Sequence, residues 1–191
     1  ARNMMYTQQI DKLGVDNVGA LERRLDSIGG LVRWALLVHD KDHSKVVGKE
    51  DELVKEHVQV VIQCKNARSI NGIAKELDDR SEQIKVWHGN INNAYSYLLH
   101  ETNESSKSDS EYHYSEDDVD ANFDYKLLMK SIRKKVAASN QSGNTIRDVD
   151  LINQLLDELG EGIITREEAE DQLTGSQWAK AHLKLDAVVK L

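Results

Sequence analysis

The chain has 191 residues and a single cysteine, Cys64, so it is long enough for an ample core but cannot form an internal disulfide. It contains neither an apolar run of the roughly 18 to 20 residues that span a bilayer nor the apolar core of a signal peptide, which predicts a cytoplasmic chain without a membrane partner. The net charge of −8 argues against a generally basic nucleic-acid-binding protein, but residues 1–100 balance to zero and leave that half open to an anionic ligand.

The first hundred residues alternate between strand-like and helix-like patterns. Apolar and β-branched runs predict strands at residues 4–9, 31–38, 55–64 and 83–87. Apolar residues at helical spacing predict helices at residues 15–28, 69–79 and 93–101. The resulting order is β-α-β-β-α-β-α, with two helices able to cover one face of a mostly antiparallel sheet. This order predicts an α+β fold of the ferredoxin-like type.

The remaining residues divide into a polar segment and a helical region. Residues 104–121 are acidic and serine-rich, which is typical of a mobile linker, and residues 122–191 have helical patterns broken at glycines. We therefore expect an α+β domain at 1–103, an acidic linker at 104–121 and a small all-α domain at 122–191.

An apolar stripe in the helical domain predicts assembly into a homo-oligomer. The stripe exceeds what so small a unit can bury alone, although the alternative is that it forms the unit's own core. Its members are Val149, Ile152, Leu155, Leu156 and Leu159.

Two histidine-containing stretches, HDKD at 39–42 and HVQVVI at 57–62, indicate a metal site. On a strand alternate residues share a face, so His57 and Gln59 project together. His39 and Asp42 come from the end of the neighbouring strand and the turn after it. Two imidazoles, a carboxylate and an amide oxygen suit Mn²⁺ or Mg²⁺. The spacing alone supports a metal site no more strongly than the alternative, in which His57 is an ordinary strand residue and HDKD is an ordinary charged turn.

Other residues near these stretches could replace one of the four ligands. The candidates are Asp40, His43 and His88.

The predicted helix at 93–101 contains two tyrosines with different environments. Tyr95 belongs to the apolar stripe that packs on the sheet. Tyr97 lies about 200° further around the helix, and His100 can share its side at three-residue spacing. Tyr97 is therefore available as a nucleophile with His100 as an auxiliary group, although an exposed tyrosine bonded to water would give the same pattern.

Taken together, LVHDKD at 37–42, HVQVVI at 57–62 and AYSYLLHE at 94–101 resemble the replication initiators of rolling-circle plasmids. The similarity is greatest to the family of streptococcal and related Firmicutes plasmids, within the histidine-hydrophobe-histidine (HUH) endonucleases. HYSEDDVDANFDY at 113–125 is similar to the stretch that follows the endonuclease core in that family. The resemblance covers roughly residues 1–125, and beyond Phe123 it implies only a helical oligomerisation domain.

The resemblance implies the roles of particular residues. The metal ligands of the family fall on His39, Asp42, His57 and Gln59, and the nucleophile falls on Tyr97. The chain departs from the usual pattern at Gln59, where the family has a second histidine. An amide oxygen replaces an imidazole there, which puts the metal preference and affinity in question.

The implied function is initiation of rolling-circle replication at a plasmid origin, bound in double-stranded and single-stranded form. Tyr97 would nick one strand and leave a 5′-phosphotyrosine and a 3′-hydroxyl primer. The sequence has no GxxxxGK[ST] loop, so a host helicase is implied. The alternatives are a mobilisation relaxase, which uses the same chemistry for transfer, and a non-catalytic origin-binding protein with a degenerate metal site.

Overall fold

The computed structural model describes residues 1–44, 49, 52–102, 112–142 and 148–189. The chain divides into two compact units, Ala1–Lys126 and Leu127–Leu191, and each is described by itself. In the described residues no helix is both long and apolar enough to cross a membrane.

The described part of the first unit contains five strands and three helices, together with short 3-10 helices. The strands are β1 (Asn3–Gln9), β2 (Leu31–His39), β3 (His57–Cys64), β4 (Ile84–Val86) and β5 (Asp120–Ala121). The helices are α1 (Val18–Ser27), α2 (Ile70–Leu77) and α3 (Ile91–Leu98). The predicted order β-α-β-β-α-β-α is confirmed, and so is the α+β class.

The strands form one antiparallel sheet in the order β4-β1-β3-β2-β5. The central strand β3 pairs along its length with β1 on one side and with β2 on the other. This register sets His57 opposite both Gln9 and His39. The carboxyl ends of β1 and β2 and the amino end of β3 therefore meet at one edge of the sheet.

The main core lies between one face of the sheet and the helices α1 and α2. Val58, Val60 and Ile62 of β3 point into it and are fully buried, as the strand alternation predicts. Leu21 and Leu25 of α1 close the core from the helix side. Each large apolar side chain buried in this way contributes about 1.5 to 3 kcal/mol.

The helices begin at well-defined polar caps. Asn17 accepts a hydrogen bond from the backbone N–H of Ala20 before α1, and Ser69 accepts one from Gly72 before α2. Such side chains satisfy N–H groups that have no partner within the helix. The caps fix where both helices start, and so which apolar residues face the sheet.

The opposite face of the sheet carries α3, which packs on β3 and β2. Tyr95 is buried there, and its hydroxyl donates to Gln63 Oε1 of β3 over 3.2 Å. The predicted helix continued to residue 101, whereas α3 ends at Leu98 and His100 adopts a positive φ of 59°. A left-handed backbone cannot continue the helix, so His100 leaves the helix surface and turns back over the sheet.

Part of the segment predicted as a mobile linker lies against the sheet. Residues 103–111 are outside the described residues, but β5 pairs with β2 and the chain continues through Asn122. The Asn122 side chain accepts from Trp34 N and donates to Val32 O, and its backbone N–H donates to Trp34 O. These bonds satisfy the free edge of β2, which explains why so polar a segment is held in place here.

The second unit is helical, as predicted. Its helices are α5 (Asp148–Gly160), α6 (Arg166–Asp171) and α7 (Gly175–Val189), and α4 (Tyr125–Ser142) leads into it. Thr165 and Glu168 form a reciprocal capping box at the start of α6, and α5 packs against α7.

The apolar stripe that predicted assembly lies partly inside the chain. Ile152 and Leu155 are buried, Leu156 and Leu159 are half-buried, and the side chain of Val149 is outside the described residues. The same helix carries Glu158 inward, where it accepts hydrogen bonds from Ser131 and Lys135. Burial of Ile152 and Leu155 fits the alternative that part of the stripe forms the unit's own core, and the assembly itself stays a prediction.

Candidate metal site and nucleophile helix

Three of the predicted ligands come from neighbouring positions on two paired strands. His39 is the last residue of β2 and faces His57, the first residue of β3, with 5.2 Å between the ring centroids. Gln59 lies two residues further along β3 on the same face, and its Nε2 is 3.5 Å from His57 Nε2. Antiparallel pairing and the two-residue strand period together bring these side chains to one place.

The fourth predicted ligand, Asp42, comes from the turn after β2. Its backbone carbonyl accepts from Val54 N–H over 2.7 Å, which ties the turn to the chain entering β3. Its carboxylate Oδ2 is 3.1 Å from His39 Nδ1 and 3.7 Å from His57 Nε2. The other oxygen, Oδ1, is 3.9 Å from His100 Nδ1. A single carboxylate therefore stands among three imidazoles.

Two atoms of this group are buried without a hydrogen-bond partner among the described residues: His39 Nε2 and Gln59 Oε1. Buried polar atoms are normally satisfied, so each calls for an explanation. Because the Asp42 carboxylate accepts a hydrogen bond from His39 Nδ1, the proton of neutral His39 lies on Nδ1 and Nε2 keeps a lone pair. A lone-pair nitrogen and an amide oxygen beside a carboxylate fit a divalent cation.

His100 adds a further potential ligand. Its Nδ1 lies 2.8 Å from the backbone carbonyl of Tyr112, which can only accept, so Nδ1 carries a proton and Nε2 is the atom that can offer a lone pair to a cation. His39, Asp42 and His100 each offer a ligand atom within 4.8 Å of the others. His57 is not part of this group, so the predicted set of His39, Asp42, His57 and Gln59 stays a prediction beside the group that contains His100.

Tyr114 is a site residue that the sequence analysis did not identify. Its hydroxyl donates to Asp42 Oδ1 over 3.0 Å and accepts from Lys41 N–H over 2.9 Å. Its ring lies 4.5 Å from that of His39 and 5.6 Å from that of His100. The only sequence signal was the HYSEDD stretch, where aromatic residues interrupt an acidic segment.

Burial and hydrogen bonding set the protonation of the site. Burial lowers the pKa of His39 and outweighs the raising effect of Asp42. Burial alone would raise the pKa of Asp42, but the hydrogen bonds to His39 and Tyr114 and the nearby His100 hold it below its usual value. At neutral pH Asp42 is therefore ionised and His39 neutral, the forms in which both can bind a metal.

The two tyrosines of α3 differ in exposure, as their helix positions predict. Tyr95 is 1% exposed, whereas Tyr97 is 37% exposed. The Tyr97 ring lies 6.3 Å from that of His100 and 5.9 Å from that of Trp87. Tyr97 is thus an accessible hydroxyl on the helix whose end contributes His100 to the histidine cluster.

The three alternative ligands considered from the sequence lie elsewhere. Asp40, His43 and His88 are all exposed, and none belongs to the ligand group that the described residues form. His43 instead forms an isolated bridge with Leu53. The path of the backbone from the end of β2 into the turn thus favours Asp42 over Asp40 as a ligand, because the Asp42 side chain points back toward His39.

A comparison with protein families identifies the family of this chain. The family model described as plasmid replication protein, origin binding domain, matches residues 20–127. A search of curated proteins finds no match. The matched residues include β2, β3, α3 and the segment that carries Tyr114. Because the match covers more than half of the chain, the protein belongs to this family of plasmid replication proteins and is a replication initiator with an origin-binding domain.

Proposed function

We propose that this initiator nicks one strand of the plasmid origin by metal-dependent tyrosine transesterification. The observation that carries the proposal is the pair of buried Lewis-base atoms, His39 Nε2 and Gln59 Oε1, beside the Asp42 carboxylate. A purely structural cluster would be expected to satisfy these atoms internally. The accessible Tyr97 on the adjacent helix supplies a nucleophile of the right kind.

The residues proposed to hold the cation are His39, Asp42, His57 and Gln59. A bound Mn²⁺ or Mg²⁺ would supply Lewis-acid chemistry that polarises the scissile phosphate. The half-buried carboxylate of Asp42 would contribute the negative charge that attracts it, and the imidazoles of His39 and His57 would contribute nitrogen lone pairs. A neutral amide at Gln59 makes this set weaker toward Mn²⁺ than one with a further histidine.

In the proposed reaction the Tyr97 oxygen attacks the scissile phosphorus and loses its proton. The new bond joins Tyr97 to the 5′-phosphate, and the bond between phosphorus and the 3′-oxygen breaks. The leaving 3′-oxygen takes up a proton and becomes the 3′-hydroxyl primer. His100 is the proposed auxiliary group, because its ring lies 6.3 Å from that of Tyr97 and it offers a ligand atom beside His39 and Asp42.

Covalent capture on a single-stranded oligonucleotide tests this reaction. With Mn²⁺ and an oligonucleotide spanning the cognate origin, the wild type should cleave at one position and remain attached to the downstream fragment in a denaturing gel. Tyr97→Phe should keep the fold and metal binding but form no adduct, because only the attacking oxygen is removed. Tyr95→Phe is the matched control and should still cleave, since the buried ring is kept and the hydroxyl that is lost donates to Gln63, away from the proposed reaction.

The outcomes separate the alternatives. An adduct formed by Tyr97→Phe but not by Tyr95→Phe would reverse the assignment of the nucleophile. No cleavage by any variant, with origin binding retained, would favour the non-catalytic origin-binding protein. Gln59 is the observation that favours a non-catalytic origin-binding protein, because an amide stands where the resembled family has a second histidine.

Calorimetry separates the two ligand sets. His57→Ala should abolish specific Mn²⁺ binding if the cation is held by the strand pair, whereas His100→Ala should do so if the cation is held by the alternative triad. Gln59→His should keep or tighten Mn²⁺ binding, because imidazole is generally the better ligand for transition ions. Unchanged affinity in both alanine variants would place the cation elsewhere.

The proposal extends to the cellular setting. We place the protein in the bacterial cytoplasm, at double-stranded and single-stranded origin DNA, with a host helicase to unwind the nicked duplex. Self-assembly would use Leu183 of α7, which remains 73% exposed. Leu183 is added to the α5 stripe as part of the proposed assembly surface.

A further inference from the structure

A groove opens beside His57 at the edge of the sheet where β1 ends and β3 begins. It has a volume of about 360 Å³, within the roughly 300 to 1,000 Å³ range of ligand pockets. The antiparallel pairing of β1 and β3 brings Gln9 opposite His57, and Ile10 N–H bonds Glu56 O over 3.1 Å. The groove is therefore formed by the sheet itself and by the short segments that leave it.

The walls of the groove are polar and carry three cationic side chains. Lys12 follows β1, Lys55 precedes β3, and Arg80 precedes β4. The remaining wall is mostly uncharged hydrogen-bonding groups, including Gln9 and Gln83. A surface of this composition suits a phosphate backbone better than an apolar ligand.

Only Lys55 of these three cations has a carboxylate in contact among the described residues. Asp11 forms an ion pair with Lys55 and attracts Lys12 more weakly. Asp79 accepts from the Tyr6 hydroxyl, the Gln8 amide and the Arg80 backbone N–H, so both of its oxygens are engaged. Among the described residues the side chains of Lys12 and Arg80 have neither an ion pair nor a hydrogen bond, and both are exposed.

We infer that this groove binds the single-stranded DNA next to the scissile phosphate, with Lys12 and Arg80 contacting its phosphates. The inference rests on the proposed function, because it takes the residues around His57 as the place of cleavage. A strand whose scissile phosphate lies at His57 continues on both sides of the site, and this groove opens on one of them. Gln9 and Gln83 line the groove and can hydrogen-bond to the sugar, phosphate or base of the nucleotide next to the scissile phosphate.

The salt dependence of binding tests the inference without cleavage. The full chain is titrated in EDTA with a fluorescent oligothymidylate of about ten nucleotides, within the usual site sizes for single strands. Each phosphate neutralised on a single strand adds about 0.7 to the slope of log affinity against log salt. The double variant Lys12→Ala/Arg80→Ala should therefore lower that slope by about 1.4, and Lys12→Arg/Arg80→Lys should restore most of it.

Lys65→Ala is the control, because Lys65 is exposed and follows the other end of β3. It removes one positive charge and should leave the slope unchanged. The inference is overturned if the double variant keeps the wild-type slope, if Lys65→Ala lowers it equally per charge, or if the wild type does not bind the probe. It is also overturned if the double variant lowers the slope for a duplex of the same length as much as for the single strand, since the groove would then be a general anion-binding surface. Because the assay needs no metal and no Tyr97 chemistry, a failure to nick would leave its result intact.

Discussion

Removal of the Tyr114 hydroxyl should loosen Asp42 and weaken the metal site. Tyr114 is 5% exposed and donates to the Asp42 carboxylate over 3.0 Å. A hydrogen bond to a charged acceptor contributes about 1.5 to 3 kcal/mol. Lys41 is exposed, so water can replace the acceptor that its N–H loses, and the ring still packs on His39. We therefore expect Tyr114→Phe to reduce the free energy of unfolding by about 2 kcal/mol.

The same change should alter metal affinity and acid stability. Loss of a group that orients a metal ligand typically costs about 10-fold to 100-fold in affinity. The hydrogen bond from Tyr114 also helps to hold the pKa of Asp42 down, so this pKa should rise in the variant. A carboxylate with a lowered folded-state pKa contributes stability above its unfolded value of about 3.8 and loses it as the pH falls further. Acid unfolding of Tyr114→Phe should therefore begin at higher pH.

Urea unfolding in EDTA and Mn²⁺ calorimetry measure both effects. Tyr112→Phe is the matched control, because Tyr112 is 40% exposed and its hydroxyl contacts only the Lys41 ammonium group among the described residues. An exposed contact of this kind contributes about 1 kcal/mol or less. If Tyr114→Phe matched the wild type in stability and affinity, or if Tyr112→Phe lost as much, the hydroxyl would not be what holds Asp42.

Three further changes test the fold and the assembly surface. Burial lowers the pKa of His39, so the stability that neutral His39 contributes without metal should be complete above about pH 6.5 and lost as the pH falls below that value. In thermal unfolding across this range, the stability of His39→Gln should therefore depend less on pH than that of the wild type. A Cβ at Gly14 would lie 2.0 Å from the Asp78 carbonyl oxygen, so Gly14→Ala should cost about 1 to 3 kcal/mol in urea unfolding, whereas Gly29→Ala has open space and should cost much less. Leu183→Glu should lower the mass measured by light scattering if α7 mediates assembly, and an unchanged oligomer would refute that role.

The part of the site on the strands could be predicted because strand periodicity is local. The two-residue repeat separates His57 and Gln59 from Val58 and Val60, and the observed burial follows it. Helix periodicity likewise distinguishes the buried Tyr95 from its neighbour two residues later. These patterns reflect which face of an element is apolar, and they need no knowledge of distant contacts.

The rest of the site depends on contacts between residues distant in sequence. Tyr114 reaches Asp42 across 72 residues, and its acidic surroundings favoured a linker. His100 reaches the cluster because the backbone turns left-handed just beyond α3, which helical spacing does not anticipate. Asn122 completes the edge of β2 as a single side chain, so no strand-like run marks it.

The Lys41 N–H, bonded to the Tyr114 hydroxyl, offers a local probe of dynamics. Its acceptor is a side chain from 73 residues later, so amide exchange at this position can proceed when the segment before β5 detaches while the strands of the sheet stay paired. The Cys64 N–H, which bonds Arg2 O over 2.8 Å, instead reports on the sheet. Comparing the two exchange rates would separate local opening over Asp42 from global unfolding.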